Sequence, residues 1–509
     1  MLKLAEKNRK WWILLAMSSS LALVFIDQTA LAVALPAIQR ELNLSNSLSQ
    51  WVINAYLLAL SAIILLGGKI GDRLGHKRAF LAGVIVFITA STLAALAESG
   101  AWLITARAIQ GIGAAFMMPS TNALVTNAFP AQERGKALGI YIALATIFLA
   151  LGPLLGGFLT QVFSWRAVFW INFPIALISI ILAIFSVPTW QRREKLNIDY
   201  LGFFISVILI SGFVLGFMEA PNWGWTSLPI MSLFLLSIIS LIAFISWEKK
   251  ISHPLVELTL FKNLTFTTLF SVLLIIQAVA IVFVFLPIFL QNVLHYSPLM
   301  AGLLLLPAMV PIMLMAPVGG HLRDKYGPTL PMFCGALLVV LSLIWIAVFS
   351  HHRDYAWLFP GLLVYGIGMP LILSGIMATV MNMVSAQQRG MASAIFNCAR
   401  QFGNTIGLAL LSGLLTSVNK WQLNFFLHHS PVPLSRLKEQ QIDGLLVQSD
   451  QAMKAIAHLS LAHIEQLKIA ALNAYTSAFS MVLLAAAILA FVPLLLVLKI
   501  PRKKIIKIS

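Results

Sequence analysis

The chain has 509 residues, of which 60% are apolar and only 10% are charged, and its mean hydropathy is +0.92. A soluble globular domain carries about a quarter charged residues, so this composition excludes a water-soluble fold. The formal net charge of +17 raises the question of a nucleic-acid partner, and the positions of the basic residues answer it.

Apolar stretches long enough to cross ~30 Å of hydrocarbon follow one another along the chain. They predict an all-α membrane protein of fourteen transmembrane helices with both termini in the cytoplasm. The predicted spans are residues 12–36, 50–69, 79–98, 101–125, 135–160, 167–188, 200–218, 228–247, 265–290, 300–320, 329–349, 356–381, 391–417 and 473–499. In this arrangement most Lys and Arg lie on the cytoplasmic side, whereas Asp and Glu divide evenly. This is the positive-inside pattern, so the charge indicates orientation and no nucleic-acid partner is predicted.

Three polar segments interrupt the spans. Residues 189–199 and 248–262 predict short charged cytoplasmic linkers, and residues 418–471 predict the only long external segment. Apolar residues at helical spacing in that segment predict an amphipathic helix on the membrane or the bundle, and a docking surface for a partner protein is the alternative. These residues are Met453, Ile456, Leu459, Ile464 and Leu467.

Both cysteines, Cys334 and Cys398, fall in predicted spans. Their positions leave no disulfide framework and no zinc-binding spacing. We therefore predict no metal site. Nucleophile–base pairs and phosphate-binding loops are also missing from the sequence, so an enzyme is not expected.

An internal repeat decides the predicted architecture. Three short motifs recur at nearly constant spacing, and they place predicted helices 2 to 5 in register with helices 10 to 13. The matching segments are 67–75 with 319–327, 111–113 with 366–368, and 132–135 with 387–390. The chain is thus predicted as two six-helix halves, 1–188 and 263–509, with a helix pair at 189–262 inserted between them. Many secondary transporters have repeated halves with a site at their interface.

Asp27 is the one acidic residue deep in a predicted span, and an ionisable group there is costly enough to suggest a function. Its predicted partner is Arg107, the only charge in predicted helix 4. Such a carboxylate can exchange its proton as a surrounding cavity alternates between wet and closed. A static ion pair that joins helices 1 and 4 is the alternative. The repeat places Val279 and Leu362 at the corresponding positions, so neither charge is needed to build a half, which favours the functional interpretation.

Residues 68–78, between predicted helices 2 and 3, combine glycines with one aspartate and several cations. Glycine permits a tight turn, and an aspartate can accept hydrogen bonds at a helix N-terminus. We predict a charged latch at the cytoplasmic mouth, in which the cations pair with acidic partners such as Glu133. A solvated positive-inside loop is the alternative. The predicted latch comprises Gly68, Asp72, Arg73, Gly75, Lys77, Arg78 and Glu133.

Predicted helix 5 contains Gly152, Pro153, Gly156 and Gly157. Small residues four apart allow two helices to pack closely in lipid, and proline bends a helix. These physical grounds do not distinguish ordinary close packing from a functional motif.

Predicted helix 13 carries a polar stripe at helical spacing, formed by Asn397, Arg400, Gln401 and Asn404. Polar groups in a membrane interior face a cavity or pair with other helices. Asn397, Arg400 and Gln401 are therefore candidate cavity residues, and joining helices is the alternative role for them.

These motifs resemble those of the major facilitator superfamily. Residues 68–78 resemble its signature loop between helices 2 and 3, and residues 107–113 resemble its helix 4 motif, whose arginine is linked to proton transfer. Residues 152–157 resemble the helix 5 motif associated with antiporters, although Phe148 replaces the glycine that often precedes it. The fourteen spans are similar to the fourteen-helix drug:proton antiporter family, as are segments 27–36, 165–174, 297–307 and 389–403.

The resemblance implies a multidrug exporter of the bacterial cytoplasmic membrane, energised by the proton gradient without a cofactor. It implies that the two halves rock around a central site and that Asp27 and Arg107 are the coupling pair. Residues 300–320 lack the acidic residue that some members use for cationic substrates, which argues against strongly cationic ones. An exporter of one metabolite or siderophore and a proton symporter for uptake are the alternatives. In a larger envelope pump, residues 418–471 would contact a periplasmic adaptor, with an outer-membrane channel beyond it.

Overall fold

The computed structural model describes residues 8–130, 133–188, 199–251, 254–384, 388–429 and 461–500. Within these ranges the chain forms helices and short connections, without strands. The predicted linker at 189–199 lies almost entirely outside the described residues. So does most of the predicted external segment, including Met453, Ile456 and Leu459.

Fourteen helices build the described part of the chain into one bundle, and we number them α1 to α14 in chain order. They are α1 Arg9–Glu41, α2 Asn46–Leu74, α3 His76–Ala95, α4 Gly100–Ala128, α5 Arg134–Val162, α6 Ala167–Ser186, α7 Tyr200–Trp223, α8 Leu228–Glu248, α9 Leu264–Asn292, α10 Pro298–Tyr326, α11 Thr329–Phe349, α12 Tyr355–Met383, α13 Arg389–His429 and α14 Leu461–Val497. Each overlaps one predicted span, which confirms the predicted helix count. Among the described residues, all but α5 and α13 are long and apolar enough to cross a membrane.

Several helices depart from the simple predicted spans. α13 continues to His429, well past the predicted end at 417, and α14 begins at Leu461, before the predicted start at 473. Hydropathy marks where the apolar stretch ends, whereas a helix continues as long as its backbone bonds and side-chain contacts are satisfied. The extension of α13 is held in this way, because the Lys420 ammonium donates to the carbonyl of Pro221 on α7, 3.2 Å away.

The two halves repeat not only in sequence but also in how their helices pack. α4 approaches α2 so closely that a Cβ at Gly111 would lie 2.4 Å from the carbonyl oxygen of Tyr56. In the second half, α12 approaches α10 in the same way, and a Cβ at Gly366 would lie 2.4 Å from the carbonyl oxygen of Ala308. Close backbone approach of this kind requires small residues. The sequence repeat therefore reflects a repeated helix contact.

The turn that follows the second helix of each repeat is also shared. Gly75 between α2 and α3 has a φ of +96°, and Gly327 between α10 and α11 has a φ of +84°. Residues with a side chain rarely adopt this conformation, so glycine is needed at both turns.

The inserted helix α7 lies along one side of the bundle and touches both halves. Its residues Ile210, Val214 and Met218 form a buried apolar cluster with Ala409 of α13, against which Trp51 of α2 packs. The indole nitrogen of the same tryptophan donates to the Glu219 carboxylate on α7 over 2.8 Å. α8 packs on the outside of α7, and only 22% of the residues in its apolar stretch are buried. α7 therefore covers the seam between α2 and α13, while α8 presents most of its surface to lipid.

The repeated glycine contact predicts a difference between two Gly→Ala variants in the same half. Gly366→Ala should lower the free energy of unfolding by about 1–3 kcal/mol, because the new methyl group enters a filled contact. Gly320→Ala on α10, where nothing lies within 4 Å of the added Cβ, should not lower it and should raise it by up to about 1 kcal/mol, because alanine has the higher helix propensity. Thermal unfolding of the purified variants in detergent measures this difference. Equal midpoints would contradict the close approach of α10 and α12.

Candidate functional site

A cavity of about 2240 Å³ lies between the two halves, and α1, α2, α4, α5, α9, α10, α12 and α13 contribute to its wall. Residues of the α2–α3 turn line its mouth, among them Gly75, His76 and Lys77, and Arg323 near the end of α10 faces them. The cavity therefore opens at the end of the bundle that carries this turn. In the predicted orientation, that end is the cytoplasmic one.

The two halves meet at the opposite end of the cavity. The Gln291 amide on α9 donates to the carbonyl of Val33 on α1 over 2.8 Å. The backbone N–H of Leu299 at the start of α10 donates to the Gln161 side chain at the end of α5 over 3.2 Å. These bonds join α1 and α5 of the first half to α9 and α10 of the second, so this end is held together by contacts between the halves.

The antiporter-like motif of α5 lies at this junction. A Cβ at Gly152 would overlap the Thr29 hydroxyl on α1, and one at Gly156 would lie 2.4 Å from the Ala30 carbonyl oxygen. Gly157 faces the other half, where a Cβ would lie 2.3 Å from the carbonyl oxygen of Pro298. The motif is therefore a surface of close packing on both sides.

Pro153 of the same motif also contributes to the contact between halves. Its carbonyl oxygen lies 2.3 Å from the position that a Cβ would take at Gly302 on α10. α5 thus packs tightly against α10 as well as α1, and the glycines of both helices are needed for that approach.

Asp27 and Arg107 form a buried ion pair, as predicted. The Arg107 Nη1 group donates to Asp27 Oδ2 over 2.6 Å, and neither side chain is exposed. Gln110, one turn along α4, donates from its amide to Asp27 Oδ1 over 2.9 Å and accepts from Arg107 Nη1 over 2.6 Å. The three side chains form a closed triangle, which satisfies both carboxylate oxygens in a site without solvent.

Other elements of the first half support this charge centre. α2 supplies the Val52 carbonyl, which accepts from Arg107 Nε over 3.1 Å, and the Tyr56 ring, whose centroid is 4.4 Å from the guanidinium carbon. α6 supplies Asn172, whose amide nitrogen is 3.5 Å from Asp27 Oδ1 and donates to the Ser91 hydroxyl over 3.0 Å. Four helices besides α1 therefore contribute to the centre, directly or through Asn172.

The charge centre lies beside the cavity but not in its wall. Phe25, Gln28 and Thr29 of α1 line the cavity, whereas Asp27 does not. The carboxylate thus points away from the substrate-sized space, and α1 lies between the two. A movement of α1 is the direct route by which the cavity and the carboxylate can influence each other.

The predicted pairing of the latch with Glu133 is wrong in this conformation. Glu133 instead forms an ion pair with Lys10 at the start of α1. Lys77, in the first turn of α3, donates to the carbonyl of Ile184, 3.0 Å away, and to that of Val187. The last carbonyls of a helix lack partners within it, so the end of α6 attracts this cation more directly than the carboxylate does.

The remaining latch residues surround the mouth of the cavity. Asp72 Oδ1 lies 3.1 Å from His76 Nε2, close to the start of α3, and Gly68 lines the cavity. Arg73 and Arg78 are exposed and form no ion pair with the described residues. The function of the segment as a latch stays a prediction.

The predicted cavity residues Asn397, Arg400 and Gln401 all line the cavity, and Asn404 does so too. The Gln401 amide lies 3.6 Å from the Met118 sulfur on α4, so this residue also touches the first half. Both predicted roles, facing a cavity and joining helices, are therefore combined on α13.

Sequence reasoning missed several polar residues of the site. Gln110 was detectable, because it lies three residues after Arg107 and so shares its helix face. Asn172 was not, because its position depends on the break of α6 at Ile171. Gln28 and Gln277 line the cavity as isolated polar residues in apolar spans, which is a weak signal. No group of three or more His, Cys, Asp or Glu in the described ranges could hold a metal ion.

The buried ion pair predicts a characteristic double-mutant cycle. Arg107→Leu should destabilise the protein by about 3–5 kcal/mol, because it leaves the Asp27 carboxylate buried without a cation. The double variant Asp27→Asn with Arg107→Leu should be more stable than Arg107→Leu alone, because the uncompensated charge is removed. Thermal unfolding in detergent measures the cycle, and membrane expression of the double variant is the control. A double variant that loses the sum of the two single effects would contradict direct pairing.

The chain is similar to several resistance proteins along most of its length. It is 33% identical to the multidrug resistance protein Stp of Mycobacterium tuberculosis, over 79% of this chain and 75% of that protein. It is 31% identical to the tetracenomycin C resistance and export protein of Streptomyces glaucescens, over 81% and 77%. Its identity to a puromycin resistance protein of Streptomyces alboniger is 32%, over 80% and 82%.

Solved structures agree on the fold. A bacterial homologue of the human lysosomal transporter Spinster, in an inward-facing and occupied conformation, matches 96% of both chains with a TM-score of 0.62 and 19% identity. A D-xylose–proton symporter matches with a TM-score of 0.60 and 14% identity, over 94% of this chain and 97% of that chain. The family model described as Major Facilitator Superfamily matches residues 17–408. The chain therefore belongs to the Major Facilitator Superfamily and is a multi-pass transporter of the bacterial cytoplasmic membrane.

Proposed function

We propose that this transporter is a proton-coupled antiporter that exports lipophilic drugs or other toxic compounds by alternating access. The observation that carries the proposal is the buried Asp27–Arg107 pair beside a large cavity between two repeated halves. Ionisable groups inside transporters commonly form proton relays. The multidrug, tetracenomycin and puromycin resistance proteins to which the chain is similar support export as the direction.

The cavity-open conformation is the loading state of the proposed cycle. In this state Asp27 is bonded to Arg107 and Gln110 and separated from the cavity by α1. A lipophilic compound enters from the cytoplasm, and the bundle then closes around it. Opening on the other side admits a proton to Asp27, which weakens the ion pair and lowers the affinity for the compound. After release, the return to the cytoplasmic state deprotonates Asp27.

One helix provides the physical link between the proton and the conformation. α1 carries Asp27, and six residues later it carries Val33, whose carbonyl bonds to Gln291 of the other half at the closed end. That bond must break when the closed end opens. Thr29 and Ala30, between the two positions, are packed into the glycines of α5. α1 is therefore held at Asp27, at Thr29 and Ala30, and at Val33. Separating the halves must change the position of α1 and, with it, the surroundings of the Asp27 carboxylate.

The energy source in this proposal is the proton gradient, and no cofactor is invoked. The partners are protons, lipophilic small molecules and the lipid bilayer. A periplasmic adaptor and an outer-membrane channel remain a prediction from the sequence, because residues 430–460 of the external segment lie outside the described part of the chain.

The proposal predicts the behaviour of Asp27→Asn. This variant should lose proton-driven efflux in everted membrane vesicles, falling to the rate of vesicles without the protein, because the asparagine side chain cannot bind and release the proton. It should still bind substrate in detergent, because Asp27 does not line the cavity, but more weakly than the wild type, because asparagine mimics the protonated, low-affinity form. Fluorescent-substrate transport under an imposed pH gradient measures the first effect.

Glu219→Gln is the matched control for this test. Glu219 is another carboxylate within a helix, but it lies on α7 and bonds to Trp51 rather than to the charge centre. This variant should transport at the wild-type rate. Wild-type efflux by Asp27→Asn would disprove the coupling role, as would an equal loss of efflux in both variants.

A further inference from the structure

Arg400 is a cation in the wall of the cavity that has no acidic partner in the described part of the chain. It lies on α13 and lines the cavity, and none of the described ion pairs includes it. Its guanidinium carbon is 5.6 Å from the centroid of the Phe25 ring on α1, which also lines the cavity. An aromatic face attracts a cation but does not neutralise it.

The other charges of the cavity do not compensate for Arg400. Among the described residues, the wall contains one carboxylate, Asp72, which lies at the mouth 3.1 Å from His76 Nε2. Asp27 is occupied by Arg107 and Gln110, and it lies outside the wall. The remaining charged residues of the wall are cations at the mouth, namely Lys69, Lys77, Arg78 and Arg323. Arg323 is itself paired with Asp324, but none of the described carboxylates compensates Arg400 inside the cavity.

An arginine keeps its charge in proteins, so this charge cannot be removed by losing a proton. While the cavity is open to water, hydration stabilises the guanidinium. When the halves close around a compound, that water is largely displaced, and an uncompensated charge inside the membrane becomes costly. A compound that carries its own negative group compensates Arg400 in the closed state. A lipophilic cation of the same size adds a second like charge.

The surroundings of Arg400 suit such a compound. Gln28 of α1 also lines the cavity and adds a polar side chain to its wall. Asn397 and Asn404 lie on either side of Arg400 along the polar stripe of α13. The rest of the wall is rich in apolar and aromatic side chains that fit a lipophilic body, including Phe283, Met309, Tyr365, Met377 and Phe396.

We propose that Arg400 is the anion-binding residue of the cavity, and that the preferred substrates are lipophilic compounds with one acidic group, such as a carboxylate, phenolate or sulfonate. The inference rests on the proposed transport function and specifies its substrate class. A guanidinium can bind a carboxylate or sulfonate with two parallel hydrogen bonds and a phenolate with a single charged one, and a lipophilic cation can form none of these. Without this role, Arg400 would serve only to hold α13 against Phe25 of α1.

Two dyes that share one aromatic body test the proposal. 1-Anilinonaphthalene-8-sulfonate is anionic, and N-phenyl-1-naphthylamine is its neutral counterpart without the sulfonate. Equilibrium binding to the purified full chain in lipid nanodiscs is measured by fluorescence, corrected with empty nanodiscs. The wild type should bind the sulfonate tighter than the neutral dye. Arg400→Gln should weaken sulfonate binding by about tenfold or more, as expected for a charged hydrogen bond, and leave the neutral dye unchanged.

Two further variants make the result specific. Arg400→Lys retains the charge and should keep part of the preference for the sulfonate, and it serves as the folded reference if Arg400→Gln is unstable. Arg323→Gln removes a cation from the mouth of the same cavity and should leave the ratio of the two affinities within about twofold, because Arg323 is already paired with Asp324 and lies at the mouth.

Three results would overturn the proposal. The first is an equal loss of affinity for both dyes in Arg400→Gln, which would indicate a structural role. The second is an unchanged affinity of that variant for the sulfonate. The third is a wild-type protein that binds neither dye, or that binds the neutral dye at least as tightly as the sulfonate. Binding requires no proton gradient, so the outcome is independent of the Asp27→Asn efflux test. A failure of transport coupling and a failure of anion recognition are therefore distinguishable.

Discussion

The buried ion pair between Asp27 and Arg107 is the constraint on which the first half depends. Removing two charges from water costs several kcal/mol per ion, and the pair offsets this only with good geometry and satisfied neighbours. The helices around α1 meet that requirement together, since α4 supplies Arg107 and Gln110, α2 supplies the Val52 carbonyl, and α6 supplies Asn172. Val279 and Leu362 take the corresponding positions in the second half, which repeats the helix contacts of the first half without this ion pair.

Because of this asymmetry, the two halves contribute different polar groups to the site. The first half holds the proton-binding candidate behind α1, while α13 of the second half brings a polar stripe and an uncompensated cation into the cavity. The two seams between the halves differ in how they are packed. α7 covers the seam between α2 and α13, whereas α5 and α10 meet directly through glycines and prolines. Movement of the halves must therefore rearrange the α5–α10 contact, which lies next to the part of α1 that carries Asp27.

Much of this could be predicted from the sequence, and the exceptions have physical reasons. The helices follow from hydropathy, and the repeated halves follow from glycines that recur because close helix packing requires them. The Asp27–Arg107 contact follows from the cost of an unpaired buried charge. The partner of Glu133 could not be predicted, because exposed ion pairs are weak and depend on how helix ends happen to meet. The extra length of α13 was missed because a contact with α7 maintains it beyond the apolar stretch.

In the proposed cycle, proton binding and substrate binding are linked through Asp27. Linkage is reciprocal, so a substrate that binds best to the deprotonated protein must release protons when it binds. The most direct measurement is the proton release that follows addition of a transported compound to the purified protein in weakly buffered solution, at a pH acidic enough that part of the free protein carries the coupling proton, read with a pH indicator. We expect release by the wild type and none by Asp27→Asn. Equal release by both proteins would contradict the assignment of the coupling proton to Asp27.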